Sequence, residues 1–296
     1  MLKKFLINKV FGWQECDSET YKKAWYQFGG SVCTHPDVID WLSKKTGRSV
    51  SYLSRKKNND LVSCIYHTNR SFSLYSNDYP FVFEDILLPL HGEHRHLIPF
   101  RTKILSPRHA GKAMNSIYRA VGKHKICYAK ESWSKTTSRK RDGERKRFIK
   151  GGGSIININL LSDEEICDAY IRLFTLRWAG SKRCYKKDAL MEVLSHFRHL
   201  IFGHALIFNE VIIAIDLIFM SECQNWIYFD DINGGYDPEH RQFSPGTVLL
   251  WENLTQAKAL CQQQQKEMIF SLGKYEEQWD YKKLWCDLVP LGRTLS

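Results

Sequence analysis

The run HALIFNEVIIAIDLIFM at 204–220 restricts the fold more than any other part of this sequence. A bilayer-spanning helix needs about 20 predominantly apolar residues. Asn209, Glu210 and Asp216 interrupt this run, and two strands turning at Asn209-Glu210 account for it better. After a polar turn from Ser221 to Asn225, NWIYFDD supplies a third strand. Three strands joined by short turns make an antiparallel meander, whose apolar face has to be covered by helices. LSDEEICDAYIRLFTLRW provides one: Ser162 is the N-cap, Glu165 stands at the capping-box position, and Ile166, Ala169, Tyr170 and Leu173 recur at helical spacing. A second helix is expected over 188–199. Beyond the meander, Ser244 as N-cap and Pro245 at the first helical position open a helix over 245–262. MIFSLG then reads as a strand, YEEQWDYKKLW as a short helix and LVPL as a last extended piece.

The first half repeats this order more faintly. SETYKKAWYQF and HPDVIDWLSKKTG are helical, and SVSYLSRKKNNDLVSCIYHT is a hairpin turning at Asn58-Asn59-Asp60. SPRHAGKAMNSIYRAVGKH reads as a helix starting on Ser-Pro, and KICYAK as a strand. The recurrence predicts a tandem duplication of one α+β fold, with mostly antiparallel sheets flanked by helices. The expected division is a degenerate first domain at 1–129, a basic linker helix with a glycine hinge at 130–153, and a second domain at 154–296.

A chain of 296 residues is long enough for two such cores, and 43% hydrophobic residues with only eight prolines exclude a disordered chain. None of the nine cysteines stands in a CxxC pair or a zinc-like spacing, so reduced thiols and no metal site are expected. The net charge of +11 favours an anionic partner. From Lys130 to Lys150 nine Lys or Arg stand against three acids, a local net of +6. That segment reads as a solvated linker helix, frayed at Asp142-Gly143, or as an arm for nucleic-acid phosphates. In MLKKFLINKVFGW, Asn8 and Lys9 interrupt the apolar region, so a cleaved signal peptide is not expected. Leu2, Phe5, Leu6, Val10 and Trp13 share one helical face, with Lys3, Lys4 and Lys9 toward the other. This pattern suits either an ordinary first helix or a segment resting on anionic lipid.

Two helices, an antiparallel meander, a helix after its last strand and a further strand resemble the acyl-CoA N-acyltransferase (GNAT) fold. YFDDINGGYDPEHRQFSPGTVLLWENL followed by FSLGKYEEQWDYKKLW is similar to the branch with a Ser-Pro-Gly helix start and a Tyr-Lys pair near Trp, here Tyr281, Lys282 and Trp285. FGGSVCTHPDVIDWL, the basic link into FIKGGGSI and the terminal YKKLW together resemble the macrophage-inducible-gene-fourteen family of bacterial proteins. That resemblance implies a role in resistance to cationic antimicrobial peptides and in virulence and an association with the inner membrane, which with the reduced cysteines gives the expectation of a cytoplasmic protein peripheral to that membrane. An antimicrobial peptide or an envelope component is the implied partner.

In GNAT enzymes the loop and helix start after the fourth strand hold the donor's pyrophosphate on backbone N–H groups. The matching stretch here is Arg241, Gln242, Phe243, Ser244, Pro245, Gly246 and Thr247, with one glycine of the usual glycine-rich run. The resemblance implies acyl-CoA or aminoacyl-tRNA as donor, with Arg241, Ser244, Gly246, Thr247 and Lys282 on its charged part. Acyl transfer to an amine also needs a base and an acid near the reacting atoms. Asp230, Asp231 and Glu277 are the candidate bases, with Asp231 preferred, and Tyr275 and Tyr281 the candidate acids. Asp216, read as facing out of a strand, receives no role. An N-acyltransferase or aminoacyltransferase is the first reading, and a non-catalytic protein binding the membrane surface or peptides the second. A nucleic-acid-binding regulator is the third, without a recognisable base-reading motif.

Overall fold

Asn209 and Glu210 both take positive φ, 49° and 63°, as a two-residue turn matching the twist of its flanking strands requires. That turn joins two neighbouring strands of the main sheet. The computed structural model describes residues 6–119 and 124–295. The chain opens with β1 (Gln14–Cys16), α1 (Ser18–Phe28), α2 (Pro36–Thr46), β2 (Ser51–Lys57) and β3 (Asp60–His67). After a long stretch with little regular structure come β4 (Ser116–Tyr118), β5 (Lys125–Ala129), α3 (Lys135–Lys150), β6 (Ser154–Asn157), α4 (Asp163–Trp178) and α5 (Lys187–Phe197). The remainder is β7 (Ile201–Phe202), β8 (His204–Phe208), β9 (Val211–Glu222), β10 (Trp226–Tyr236), α6 (Pro245–Gln263), β11 (Glu267–Lys274), α7 (Lys282–Trp285), β12 (Cys286–Pro290) and β13 (Gly292–Thr294).

The principal sheet runs β12-β5-β11-β10-β9-β8-β6, with β7 also paired to β9. Its pairs are antiparallel except β10 with β11. β1, β2 and β3 form a second sheet, and β4 pairs with β13. β5 precedes the glycine run, yet it is an inner strand of the main sheet. One hydrophobic cluster also joins the two halves: Phe81 lies 5.1 Å from Phe219 and 5.3 Å from Phe197, ring centre to ring centre. The architecture is α+β, as expected.

The capping box at Ser162 forms as its sequence requires. The Ser162 hydroxyl accepts the Glu165 N–H at 3.2 Å, and the Glu165 carboxylate accepts the Ser162 N–H at 2.7 Å. The hairpin, the meander and the helices of the second half stand where the periodicity puts them.

The stretch expected to be a helix from Ser106 is instead a single 3-10 turn at Pro107–His109, followed by β4. Gly111 takes φ 76°, and the buried His109 ring accepts the Leu88 N–H at 2.8 Å. Both hold the chain out of a helix. Residues 120–123 of that stretch lie outside the described residues. The basic segment is an unbroken helix through Asp142 and Gly143, capped by Ser134. Its last residues do not lead into a free hinge. A Cβ on Gly153 would lie 2.2 Å from the Phe148 ring, and one on Gly151 2.8 Å from Phe243. These glycines permit close packing. Residues 1–5 of the proposed lipid-facing segment lie outside the described residues. Trp13, placed on that face, is 1% exposed and donates its indole N–H to the Leu97 carbonyl at 2.7 Å.

Candidate active site

The parallel pairing of β10 and β11 runs from Trp226 opposite Glu267 to Asp230 opposite Ser271 and then stops, although both strands continue. At that point β10 also shifts register against β9, between Asp231 and Asn233. A bulge bends the strand that carries it, and the two strands part here. A cavity of about 380 Å³ occupies the opening. Asp216 of β9 and Asp231 of β10 line it, together with Arg141, Arg177, Tyr236, Arg241, Tyr281 and the first turn of α6 from Ser244 to Thr247. A recess of about 80 Å³ shares Arg177, Asp216, Asp231 and Tyr281, and adds Trp279 and Lys282. A larger, more open groove of about 870 Å³, lined by His196, His199 and His204, holds none of the expected site residues.

Two glycines of NGGY set the walls. A Cβ on Gly234 would sit 2.0 Å from the Asp216 Oδ1, so the strand next to that carboxylate has to be bare. A Cβ on Gly235 would lie 2.2–2.4 Å from backbone atoms of Leu173 and Phe174, so α4 rests directly on β10. That contact delivers Arg177 to the opening. Its Nη1 donates to the Gly234 carbonyl at 3.0 Å, and its guanidinium lies 4.7 Å from the Trp178 ring and 5.3 Å from the Tyr236 ring. Arg141 reaches the cavity from α3, paired with Glu144 at 2.6 Å and lying 5.3 Å from the Trp285 ring.

Burial drives the Asp231 carboxyl well above the usual carboxylate range. The charge of Asp216 adds to the push, while Lys282 and Arg177 restrain it. Burial likewise raises Asp216 to about 6, against the pull of Arg177 and a hydrogen bond from Asn253. Burial is the main cause that raises the Tyr281 hydroxyl, and Arg177 opposes it. The Tyr281 side chain remains 45% exposed at the rim. A carboxylate so raised accepts a proton more readily than an exposed aspartate, as a general base requires.

A group whose folded pKa is raised keeps a proton that the unfolded chain releases. Its contribution to stability therefore falls as pH climbs from about 4 through the folded value near 6, and is level above that. Asp216→Asn removes this loss while keeping an oxygen for Asn253. We expect it to stabilise the fold by about 2–3 kcal/mol at pH 8 and to change little at pH 4, measured by thermal denaturation at both pH values.

Of the expected site residues, Asp231, Tyr281, Arg241, Ser244, Gly246 and Thr247 meet in this cavity. Ser244 begins α6 without capping it: it is left-handed (φ 52°, ψ 53°) and its side chain makes no cap hydrogen bond. Lys282 is displaced from its expected role. It is 6% exposed, its ammonium donates to the Leu272 carbonyl and, at 3.2 Å, to the Lys274 carbonyl, and it lies 4.6 Å from the Trp279 ring. It braces the β11 end and offers no open charge. Tyr275 lies away from the cavity lining, its hydroxyl donating to Asp280 at 2.8 Å. Glu277 is exposed in a 3-10 turn. Asp230, 5% exposed, points to the opposite side of β10, into the seam where Asp85 accepts hydrogen bonds from the Tyr128 and Tyr228 hydroxyls.

Sequence reasoning missed Arg177, Arg141 and Asp216, and each left a signal. Arg177 continues the apolar stripe Ile166, Tyr170, Leu173 at helical spacing, which puts a charge on a buried face. Arg141, Glu144 and Phe148 share one face of α3 in the same way. Asp216 interrupts an otherwise apolar strand, where a charge costs free energy unless a site uses it.

The structure of FemX is similar over 95% of this chain and 96% of that one, with a TM-score of 0.58 at 7% identity. L-PGS from Bacillus licheniformis covers 95% of this chain and 92% of its own (TM-score 0.47, 13% identity). A tandem GNAT protein from the clavulanic acid biosynthesis pathway covers 95% and 96% (TM-score 0.44, 10% identity). A search of curated proteins finds no match. The fold is tandem GNAT-like, its central sheet mostly antiparallel and flanked by helices. The sequence from 35 to 294 fits the Mig-14 family model, and the chain belongs to the Mig-14 family.

Proposed function

We propose that this protein is an N-acyltransferase or aminoacyltransferase acting at the opening between β10 and β11. The observation that carries the reading is the meeting of two raised carboxylates, two tyrosines and three arginines in one cavity at a strand divergence. The amine nitrogen of the acceptor attacks the carbonyl carbon of the activated donor, and the carbon–nitrogen bond forms. Asp231 takes the proton the amine loses. The bond from the carbonyl carbon to the leaving sulfur or oxygen then breaks, and Tyr281 gives that atom its proton. Solvent carries a proton from Asp231 back to Tyr281. Asp216 keeps Asp231 basic, and Arg177 and Arg241 face the donor's negative charge.

The acceptor in this reading is an amine of a cationic peptide or of an envelope component. Acylating a peptide amine removes one positive charge, and aminoacylating an envelope amine with a basic amino acid adds one to the surface, since the new α-ammonium only replaces the charge lost at the amide nitrogen. Either change weakens attraction between a cationic peptide and the cell, which connects the chemistry to peptide resistance and to work at the inner-membrane surface.

A ligand that binds only the folded state raises its melting temperature. Thermal shift with acetyl-CoA, a long-chain acyl-CoA and charged tRNA, followed by label transfer to an amine acceptor, tests the reading. One donor is expected to stabilise the wild type and to support transfer. Gly246→Trp, whose ring would fill the cavity beside Tyr236, and Arg241→Ala should abolish both while the variants stay folded. Stabilisation without any transfer would replace the enzyme with a binding protein.

A further inference from the structure

The groove of about 870 Å³ beside the C-terminal half of α6 has a chemistry unlike that of the cavity between β10 and β11. In a chain of net charge +11, Arg198 is the one Lys, Arg, Asp or Glu among the described residues that line it. That charge is already spent. Its Nη2 donates to the Ile158 carbonyl at 3.0 Å and to the Leu161 carbonyl at 2.6 Å, and its Nη1 lies 3.4 Å from the Asp163 carboxylate.

The remaining polar groups both donate and accept. Asn159 brings an amide from the turn after β6, and Gln256 and Gln263 bring two from α6. An amide sets a carbonyl oxygen beside an NH2 group, the pattern that two neighbouring hydroxyls match. The side chains of Asn159 and Gln263 make no hydrogen bond among the described residues. Gln256 gives an N–H to Glu252 at 2.9 Å and keeps its oxygen. His204 adds a fixed acceptor. The Asn253 side-chain oxygen accepts the His204 backbone N–H at 2.9 Å, so the imidazole Nδ1 that lies 3.4 Å from the same oxygen carries the proton, and Nε2 is left to accept. Burial lowers the pKa of this histidine, which keeps the ring neutral.

The floor is apolar. Ile201 is buried, Phe202 packs edge-on against Phe229 with ring centres 4.6 Å apart, and Met220 and Leu260 lie beside them. Gln256, Ala259, Leu260 and Gln263 form one stripe of α6 at helical spacing, where the small Ala259 keeps the wall low between the two glutamines. A polyanion needs free cations and a cationic ligand needs free acids, and these walls offer neither. A volume of this size is within the range of ligand sites. Neutral groups that donate and accept, set above an apolar floor, suit a ligand with hydroxyls around its edge and C–H groups on its faces.

We propose that this groove is a second binding site, for a neutral oligosaccharide, with the amides of Asn159, Gln256 and Gln263 and the ring of His204 on its hydroxyls, and Phe202, Met220 and Leu260 under its ring faces. The saccharide is held there and does not react. Gln256 and Gln263 stand about 15 and 26 Å along α6 from Gly246, at 1.5 Å per residue, so the groove and the cavity fill independently.

The test screens the whole protein on an array of neutral glucose, galactose, mannose and N-acetylglucosamine oligomers, with sulfated dextran and an uncharged Gly-Ser-Ala peptide beside them, and follows the tightest binder by calorimetry. A neutral oligosaccharide should bind, with an affinity that is level between about 0.05 and 0.5 M salt. Asn159→Ala with Gln263→Ala, both at exposed positions, should weaken it on the order of 10-fold, as two lost hydrogen bonds do. Ala259→Trp puts an indole into the groove from an exposed helix position and should abolish binding. Unchanged melting curves show that these variants are folded. Gly246→Trp, which fills the other cavity, should leave saccharide affinity as it is. Failure of every neutral oligomer to bind would overturn the proposal, and with acyl transfer intact it would overturn this proposal alone. Binding that survives Ala259→Trp, or that Gly246→Trp abolishes, would put the saccharide elsewhere and overturn it. Salt-sensitive preference for sulfated dextran, or preference for the peptide, lost in Ala259→Trp, would assign the groove to a polyanion or a polypeptide and overturn it as well.

Discussion

Replacing Asp231 by Asn should lower the transfer rate constant by about 10²- to 10⁴-fold, the range for loss of a positioned general base. Asn keeps the size and one acceptor oxygen, so the cavity and the fold should persist. The amine's proton then has no acceptor but water. The pH profile separates this role from a structural one. In the wild type kcat should rise as Asp231 loses its proton, and burial beside Asp216 shifts that rise well above the ordinary carboxylate range. In Asp231→Asn the rise should vanish while donor-induced thermal stabilisation remains. Wild-type kcat with an unchanged pH profile would remove Asp231 from the mechanism.

Among the described glycines, Gly235→Ala should be the most damaging added methyl. The added carbon would meet Leu173 C at 2.2 Å, Phe174 N at 2.3 Å and Leu173 O at 2.4 Å, all backbone atoms of α4. No rotamer change relieves a backbone contact, so the helix has to move off the sheet. Overpacking a core by one methyl typically costs 1–3 kcal/mol, and a contact this close falls at or above the upper end, about 3 kcal/mol or more. The midpoint of thermal unfolding should fall on the order of 5–10 °C. Activity should fall with it even below that midpoint, because Arg177 is held against the Gly234 carbonyl by the same contact. Gly143→Ala is the control. A Cβ there meets nothing within 4 Å, and in the middle of α3 alanine should stabilise by about 0.5–1 kcal/mol. Similar melting curves for the two variants would contradict the close-packing account.

The local signals in this sequence were strong where they needed only neighbours. Ser162 with Glu165, Asn209 with Glu210, and the apolar stripe of α4 specify a capped helix and a turned hairpin from interactions within a few residues. The meander and the helix after Pro245 were legible for that reason, whereas Asp231, Arg241 and Tyr281 were named from the resemblance. Resemblance supplied the fold that joins them. Where a reading needed knowledge of distant packing it failed. SPRHAGKAMNSIYRAVGKH carries a helix-starting Ser-Pro, but the buried His109 and its bond to Leu88 decide against a helix. The Gly151–Gly153 run looks like a hinge until Phe148 and Phe243 are seen against it.

The sequence by itself determined most of the element types, the α+β class, the +6 segment and the helix start at Ser244–Thr247, which forms the cavity's floor. Only the tertiary structure decided which charges face that floor. Lys282 turns into carbonyls, Asp230 turns into the seam with Asp85, and Arg177, Arg141 and Asp216 turn into the cavity. The physical reason is that the direction of a side chain on a strand depends on register. The bulge between Asp231 and Asn233 and the end of the β10–β11 pairing after Asp230 fix that register through contacts far apart in the chain.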